Sequence, residues 1–86
     1  MPVSTPEGLR ELQDLIAEWV GEFLETEVSL DENFLDLGGH SLIAMNLNTR
    51  LQQRFGHELD VKTLFELPLG DAARELHGRM AAQPAA

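Results

Sequence analysis

The chain has 86 residues, 43% apolar side chains, a formal net charge of −9 and no cysteine. This length allows one domain with a small core and excludes a large private substrate cleft. The lack of cysteine excludes disulfides, a thiolate nucleophile and cysteine metal ligands. Apolar runs are short and no signal-peptide pattern opens the chain, so we expect a cytoplasmic protein with no membrane association.

The negative charge is concentrated in the first part of the chain. Residues 1–36 hold ten acidic side chains against Arg10 alone, whereas residues 37–86 hold five of each sign. Binding to a phosphate backbone needs clustered positive charge, so nucleic acid is excluded as a partner. Basic protein surfaces are the expected partners of such an acidic surface.

The first predicted element is a helix of about five turns that starts near Thr5 and Pro6. Threonine is favoured at the N-cap and proline at the first helical position. Apolar residues then recur at steps of three and four, which is the period of one helix face. They are Leu9, Leu12, Ile16, Val20, Phe23 and Leu24. Acidic residues occupy the other side and Trp19 stands at the border, so this helix is expected to turn one face to a core.

Residues 26–40 are predicted to form a long loop, because the helical period stops and turn-forming residues appear. Long loops in compact domains are usually functional or disordered. Five apolar side chains favour order here, since they can pack on the core. They are Val28, Leu30, Phe34, Leu35 and Leu37. Gly38 and Gly39 then turn the chain toward the next element.

A second helix is predicted from Ser41 onward, and Gly56 is placed to end it. Its apolar stripe is Ile43, Leu47, Leu51 and Phe55. At about 100° per residue, Ser41, Leu42 and Met45 point away from that stripe. Two bulky apolar side chains therefore flank an outward hydroxyl, which indicates a docking patch for a protein that modifies Ser41.

Two shorter helices are predicted after Gly56. Asp60 is a candidate N-cap for a helical turn over Val61 to Leu67. Its inward side chains are expected to be Val61, Leu64 and Phe65. Pro68 breaks the chain, and a last helix is predicted near residues 70–80. Its apolar side chains are Leu69, Ala72, Ala73, Leu76 and Met80.

Catalytic and metal-binding interpretations of the same residues fail on spacing. A nucleophile elbow needs glycine where Ile43 stands, and His40 points about 100° away from Ser41 on a helix. A calcium loop from Asp31 would have Leu35, Asp36 and Leu42 where an oxygen ligand, glycine and glutamate are needed. His40, His57 and His77 show no metal-ligand spacing. One structural alternative stays open on spacing alone, in which Ser41 only caps a helix.

An ordered set of residues leads up to this serine, namely Asp31-x-x-Phe34-x-x-Leu37-Gly38-Gly39-His40-Ser41-Leu42. It resembles the attachment motif of carrier proteins that hold acyl or aminoacyl groups on a phosphopantetheine arm. Further residues fall at the spacings of the peptidyl carrier proteins of nonribosomal peptide synthesis. They are Arg50-Leu51, Phe55-Gly56, Thr63-Leu64-Phe65-Glu66 and Pro68. The resemblance covers about residues 9–80.

The resemblance implies an all-α four-helix bundle with a long first loop and a short third helix. It implies that Ser41 carries 4'-phosphopantetheine, attached covalently from coenzyme A, with Gly38, Gly39 and His40 as the flanking motif. Histidine before the serine is similar to peptidyl and aryl carriers, whereas fatty-acid and many polyketide carriers have aspartate there. The implied cargo is therefore an aminoacyl, peptidyl or aryl thioester.

The resemblance also implies partners rather than catalysis by the chain itself. A phosphopantetheinyl transferase would attach the arm and an adenylating enzyme would load it. Condensing, tailoring or thioesterase enzymes of natural-product biosynthesis would then act on the cargo, and the carrier is expected to be a monomer. The residues implied in partner binding are Leu42, Met45 and Asn46.

Some residues depart from the family pattern and leave the partners open, namely Asn46, Asn48 and Leu69-Gly70-Asp71. Two alternatives also remain: an acidic helical interaction module in which Ser41 is only a cap, and a polyketide or fatty-acyl carrier within the family. We expect one domain over residues 1–86, with a core at about 6–80 and a frayed tail or linker at 81–86. Because the chain starts with Met1 and shows no flanking catalytic domain, we expect a free-standing carrier.

Overall fold

Four helices form the computed structural model, which describes residues 5–82 of the chain. Helix α1 spans Thr5–Leu24, α2 spans Ser41–Phe55, α3 spans Val61–Glu66 and α4 spans Leu69–Ala82. Within residues 5–82, β-type pairing is limited to one isolated antiparallel bridge between Asn33 and Pro68. The predicted all-α bundle with a long first loop and a short third helix is confirmed.

Helix α1 buries its predicted apolar face, chiefly against α4 and to a lesser extent against α2. Leu12, Ile16 and Val20 are buried, and Trp19 and Phe23 pack against the core from its edge. The border position predicted for Trp19 is confirmed. The predicted cap at Thr5 and Pro6 depends on side chains that lie outside the described part of the structure.

One apolar core joins all four helices and the first loop. Most of its fully buried members in the helices lie on the inward faces predicted from the helical period, whereas Ala44 was not predicted among them. From the loop and α2 these include Phe34, Ala44, Leu47 and Leu51, and from α3 and α4 they include Leu64, Leu69, Ala72, Ala73 and Leu76. Burial of apolar area at about 25 cal/mol per Å² is the main stabilising contribution in a domain of this size.

The loop between α1 and α2 is ordered by four of its five predicted apolar anchors. Phe34 is fully buried, and the other three, Val28, Leu30 and Leu37, pack against the core. The prediction for Leu35 is wrong, because its side chain is 47% exposed. Residues 33–39 form a helical turn, so the side chain that follows inward-facing Phe34 is rotated by about 100° toward solvent.

The same loop supplies hydrogen-bond acceptors to the start of α4. The Leu69 N–H donates to the Glu32 carbonyl and the Gly70 N–H donates to the Leu30 carbonyl, both at 2.9 Å. From α1, Gln13 Nε2 donates to the Gly70 carbonyl at 3.0 Å. Two backbone donors that a helix start leaves without intrahelical partners are thereby satisfied.

Helix α3 begins as predicted and differs at one inward residue. Asp60 caps it, because the Asp60 carboxylate accepts hydrogen bonds from Thr63 N at 3.0 Å and Thr63 Oγ1 at 2.8 Å. These bonds lower the pKa of Asp60 below its usual range. The prediction for Val61 is wrong, since it is 41% exposed and lines a surface groove beside α2 instead of the core.

The ends of the last two helices shift slightly from the prediction. Helix α3 ends at Glu66, because Leu67 has the extended backbone favoured before a proline. Helix α4 runs to Ala82, so the first two residues of the predicted tail are helical, and residues 83–86 lie outside the described part. No helix within residues 5–82 has the length and apolar character needed to cross a lipid bilayer.

Candidate functional site

A tight backbone turn delivers the chain to Ser41. The Leu37 N–H donates to the Asn33 carbonyl at 3.1 Å, and the Gly39 N–H donates to the Phe34 carbonyl at 2.9 Å. Gly38 lies between them with a φ of 100°, a conformation that side chains with a Cβ rarely adopt. The turn therefore ends in the way that helices commonly end, on a glycine with positive φ.

The two glycines of the motif serve different physical purposes. A Cβ on Gly38 would meet nothing within 4 Å, so this position needs glycine for its backbone angle alone. A Cβ on Gly39 would lie 2.5 Å from Cε2 and Cζ of Phe34. Gly39 is therefore required by space, because its α-carbon rests against the buried Phe34 ring.

Ser41 is exposed and occupies the first position of α2. His40 stands at the N-cap with an extended backbone (φ −152°, ψ −178°), and its side chain makes no capping hydrogen bond. The Ala44 N–H is the first in this helix to find an acceptor, the His40 carbonyl at 2.9 Å. The preceding amides of α2 thus lack intrahelical acceptors and give the Ser41 end of the helix a partial positive charge. In the alternative of an acidic interaction module, Ser41 is only a helix cap. The structure places His40 at the N-cap and Ser41 inside the helix.

Exposed apolar side chains surround the serine on two helices. Leu42 is 59% exposed and Met45 is 64% exposed, as their helical phase predicts. Asn46 is also exposed. A groove of about 340 Å³ runs from Ser41 between α2 and α3. Its lining residues are Ser41, Ala44, Met45, Asn48, Thr49, Glu58 and Val61.

The loop before Ser41 is bound to α3 by contacts that the sequence reasoning missed. The Phe34 and Phe65 rings stack with centroids 5.9 Å apart and planes 7° from parallel. Asn33 Nδ2 donates to the carbonyls of Phe65 at 3.0 Å and Leu67 at 3.3 Å. Asn33 Oδ1 accepts from Leu35 N at 2.8 Å. The sequence suggested only that Asn33 favours a turn, and no signal in it shows these partners.

Asn48 is a second buried polar residue near the site, and its role was also missed. It is 7% exposed, and Nδ2 donates to the Leu59 carbonyl at 3.1 Å while Oδ1 accepts from Leu59 N at 2.9 Å. A signal existed, because Ala44, Leu47, Asn48 and Leu51 follow the spacing of one helix face. A polar side chain on a buried face needs hydrogen-bond partners.

The three histidines are placed in different settings. His40 is exposed at the cap of α2, while His57 and His77 are half-buried and lie outside the groove beside Ser41. Within residues 5–82 no three His, Cys, Asp or Glu side chains lie close enough together to hold a metal ion.

Comparison with known proteins gives the family. The family model described as "Phosphopantetheine attachment site" matches residues 10–68. The chain is 47% identical over 58 residues to one linear gramicidin synthase protein of Brevibacillus parabrevis and 40% identical over 70 residues to another. These matches cover 66% and 80% of this chain. It is also 41% identical over 59 residues, 69% of its length, to a nonribosomal peptide synthetase of Curvularia clavata.

The chain spans about 1% of the length of the two linear gramicidin synthase proteins. These relatives confirm the predicted kinship with peptidyl carrier proteins of nonribosomal peptide synthesis. The matched region includes the turn, Ser41, α2 and α3. The chain belongs to the phosphopantetheine attachment site family, whose members carry 4'-phosphopantetheine as a covalent group.

Proposed function

We propose that this carrier holds an aminoacyl, peptidyl or aryl group as a thioester on an arm attached to Ser41, and presents that group to partner enzymes. The observation that carries the proposal is the exposed Ser41 hydroxyl at the first position of α2, between a two-glycine turn and the exposed side chains of Leu42 and Met45. This stretch lies within the region matched to the family.

The surroundings of Ser41 fit a phosphodiester. The unpaired amides at the start of α2 and the helix dipole stabilise a negative charge there by about 0.3–1 kcal/mol at an exposed site. No acidic residue lies in the first turn of α2 to oppose that charge. When bound, the arm supplies a terminal thiol whose thioester keeps an acyl group activated.

Ser41 needs outside help to react. A serine hydroxyl at neutral pH is a weak nucleophile without an adjacent base. Neighbouring His40 stands at the N-cap with an extended backbone, and its side chain makes no hydrogen bond to the start of the helix. A phosphopantetheinyl transferase therefore supplies the base. Ser41 Oγ forms a bond to the phosphorus that bears pantetheine, the pyrophosphate bond of coenzyme A breaks, 3',5'-adenosine diphosphate leaves, and the hydroxyl proton passes to the transferase.

Further partners would meet the same surface. An adenylating enzyme loads the thiol, and condensing, tailoring or thioesterase enzymes then act on the cargo. Leu42 and Met45 provide the apolar contacts and Asn46 a polar one, all within about one and a half turns of Ser41. His40 favours an aminoacyl, peptidyl or aryl cargo, following the family resemblance. The free-standing state stays a prediction that the mass of the native protein tests.

Intact mass spectrometry tests the attachment site. The purified protein is incubated with coenzyme A and a promiscuous phosphopantetheinyl transferase, beside Ser41→Ala and Ser29→Ala. Ser29 is a second serine, in the loop, and serves as the matched control. The wild type and Ser29→Ala should each gain one phosphopantetheine group, and Ser41→Ala none. A folded wild type that gains no mass would make the interaction module the leading function.

A further inference from the structure

Gly39 rests against a side chain that has no freedom to move away. A Cβ on Gly39 would lie 2.5 to 2.6 Å from the three outer carbons of the Phe34 ring. Phe34 is fully buried, and its ring is stacked on Phe65. Close-packed interiors transmit such a collision instead of absorbing it. Any group added to Gly39 must therefore displace the Gly39 backbone, the ring, or both.

The backbone on either side of Ser41 is tied to the core, by Gly39 before the serine and by Ile43 and Ala44 after it. Gly39 is two residues before Ser41, and its N–H is bound to the Phe34 carbonyl at 2.9 Å. His40 in between has an extended backbone and no capping side-chain bond. On the other side of the serine, Ala44 is buried in the core one turn later. Ser41 is thus held between one anchor at Gly39 and another at Ala44.

We propose that the contact between Gly39 and the Phe34 ring sets the position of the Ser41 hydroxyl for phosphopantetheinylation, which makes both residues positioning residues for that reaction. The inference rests on the proposed function. A displaced Gly39 would carry the serine with it, while Leu42 and Met45 remain exposed for docking. Misplacement of a reacting group by about 1 Å can lower a rate by about a hundredfold.

Gly38 offers a matched comparison within the same turn. Alanine at Gly38 strains the backbone because φ is 100°, yet its Cβ would have open space around it. Its effect is therefore independent of Phe34. Alanine at Gly39 instead collides with ring carbons that leucine at position 34 would lack. The two glycines are thus expected to respond differently to Phe34→Leu.

Transferase kinetics on six proteins test the proposal: wild type, Gly39→Ala, Gly38→Ala, Phe34→Leu and the two double variants. We expect Gly39→Ala to lower kcat by about tenfold to a hundredfold, with KM for the carrier nearly unchanged. Phe34→Leu should restore the kcat of Gly39→Ala to within about threefold of Phe34→Leu alone. It should not restore Gly38→Ala. A lower kcat at unchanged KM indicates a misplaced serine, whereas a higher KM at unchanged kcat indicates a loss of docking.

The proposal is overturned if Gly39→Ala is loaded at the wild-type rate, if Phe34→Leu fails to rescue it, or if its whole defect lies in KM. Circular dichroism melts establish which variants fold. If Gly39→Ala does not fold, Phe65→Leu replaces it, since this change frees the Phe34 ring without touching Gly39. A lower kcat at unchanged KM then supports the proposal, and an unchanged kcat refutes it. Failure to load the wild type would instead refute the proposed function.

Discussion

Replacing Asn48 with alanine is expected to destabilise the fold strongly. The Asn48 amide is buried and forms two hydrogen bonds with the backbone of Leu59, at 2.9 and 3.1 Å. Leu59 itself is 3% exposed, in the connection between α2 and α3. Alanine at position 48 therefore leaves one buried N–H and one buried carbonyl without partners.

The magnitude follows from those two backbone groups. Leaving a buried polar group unsatisfied costs about 1–3 kcal/mol, so the pair should lower the free energy of unfolding by roughly 2–6 kcal/mol. In a domain of 60–100 residues each 1 kcal/mol corresponds to about 4–8 °C. The expected fall in Tm is therefore roughly 10–50 °C.

Urea denaturation and thermal melts followed by circular dichroism measure this loss. Asn46→Ala is the matched control, since the same side chain is exposed two residues earlier on the same helix and should cost less than about 0.5 kcal/mol. Asn48→Asp keeps an acceptor for the Leu59 N–H but lacks the Nδ2 donor, so it should also destabilise. Equal stabilities for the alanine variants at positions 46 and 48 would refute the reasoning.

Two further predictions concern the docking surface and the cap of α3. Met45→Glu should raise the transferase KM for the carrier about tenfold, while the free energy of unfolding changes by less than about 0.5 kcal/mol because Met45 is exposed. A fall in Tm that parallels the loss of loading would contradict a docking role. Hydrogen bonds from Thr63 lower the pKa of Asp60. The charged carboxylate therefore stabilises the fold above the ordinary aspartate pKa, and this contribution disappears as pH falls below about 4. Asp60→Asn should therefore be less stable than wild type at pH 7 and approach it in acid, and a stability difference in urea denaturation that stays constant with pH would count against this.

Hydrophobic period predicted the helices and most of the core, because amphipathic helices place their apolar residues at fixed angles. Two predicted core contacts were wrong, the loop residue Leu35 and the α3 residue Val61, which are apolar yet exposed. Their exposure depends on where a loop turn and the groove beside α2 lie relative to the core. These positions are set by the packing of segments that are distant in sequence, and the spacing of neighbouring residues does not reveal that packing.

Some features of the candidate site were predicted from the sequence, and others were found only in the structure. The motif drew attention to Ser41, and helical phase correctly placed Leu42 and Met45 on the outside. The sequence did not distinguish the two glycines of the motif. Gly38 needs backbone freedom, whereas Gly39 needs space beside Phe34. Stacking and hydrogen bonds between residues more than thirty positions apart explain that difference, and only the folded arrangement reveals them.

The carbonyls of Leu30 and Glu32 accept the first hydrogen bonds of α4, and this contact makes the long loop part of the cooperative folding unit. Lifting the loop from the bundle would strip α4 of those partners and pull Phe34 from the core at the same time. Local opening of this loop therefore also breaks contacts of the core and of α4. Under the proposed function, the loop before Ser41 would therefore stay packed on the bundle, and reach between successive active sites would come from the prosthetic group and from motion of the whole domain.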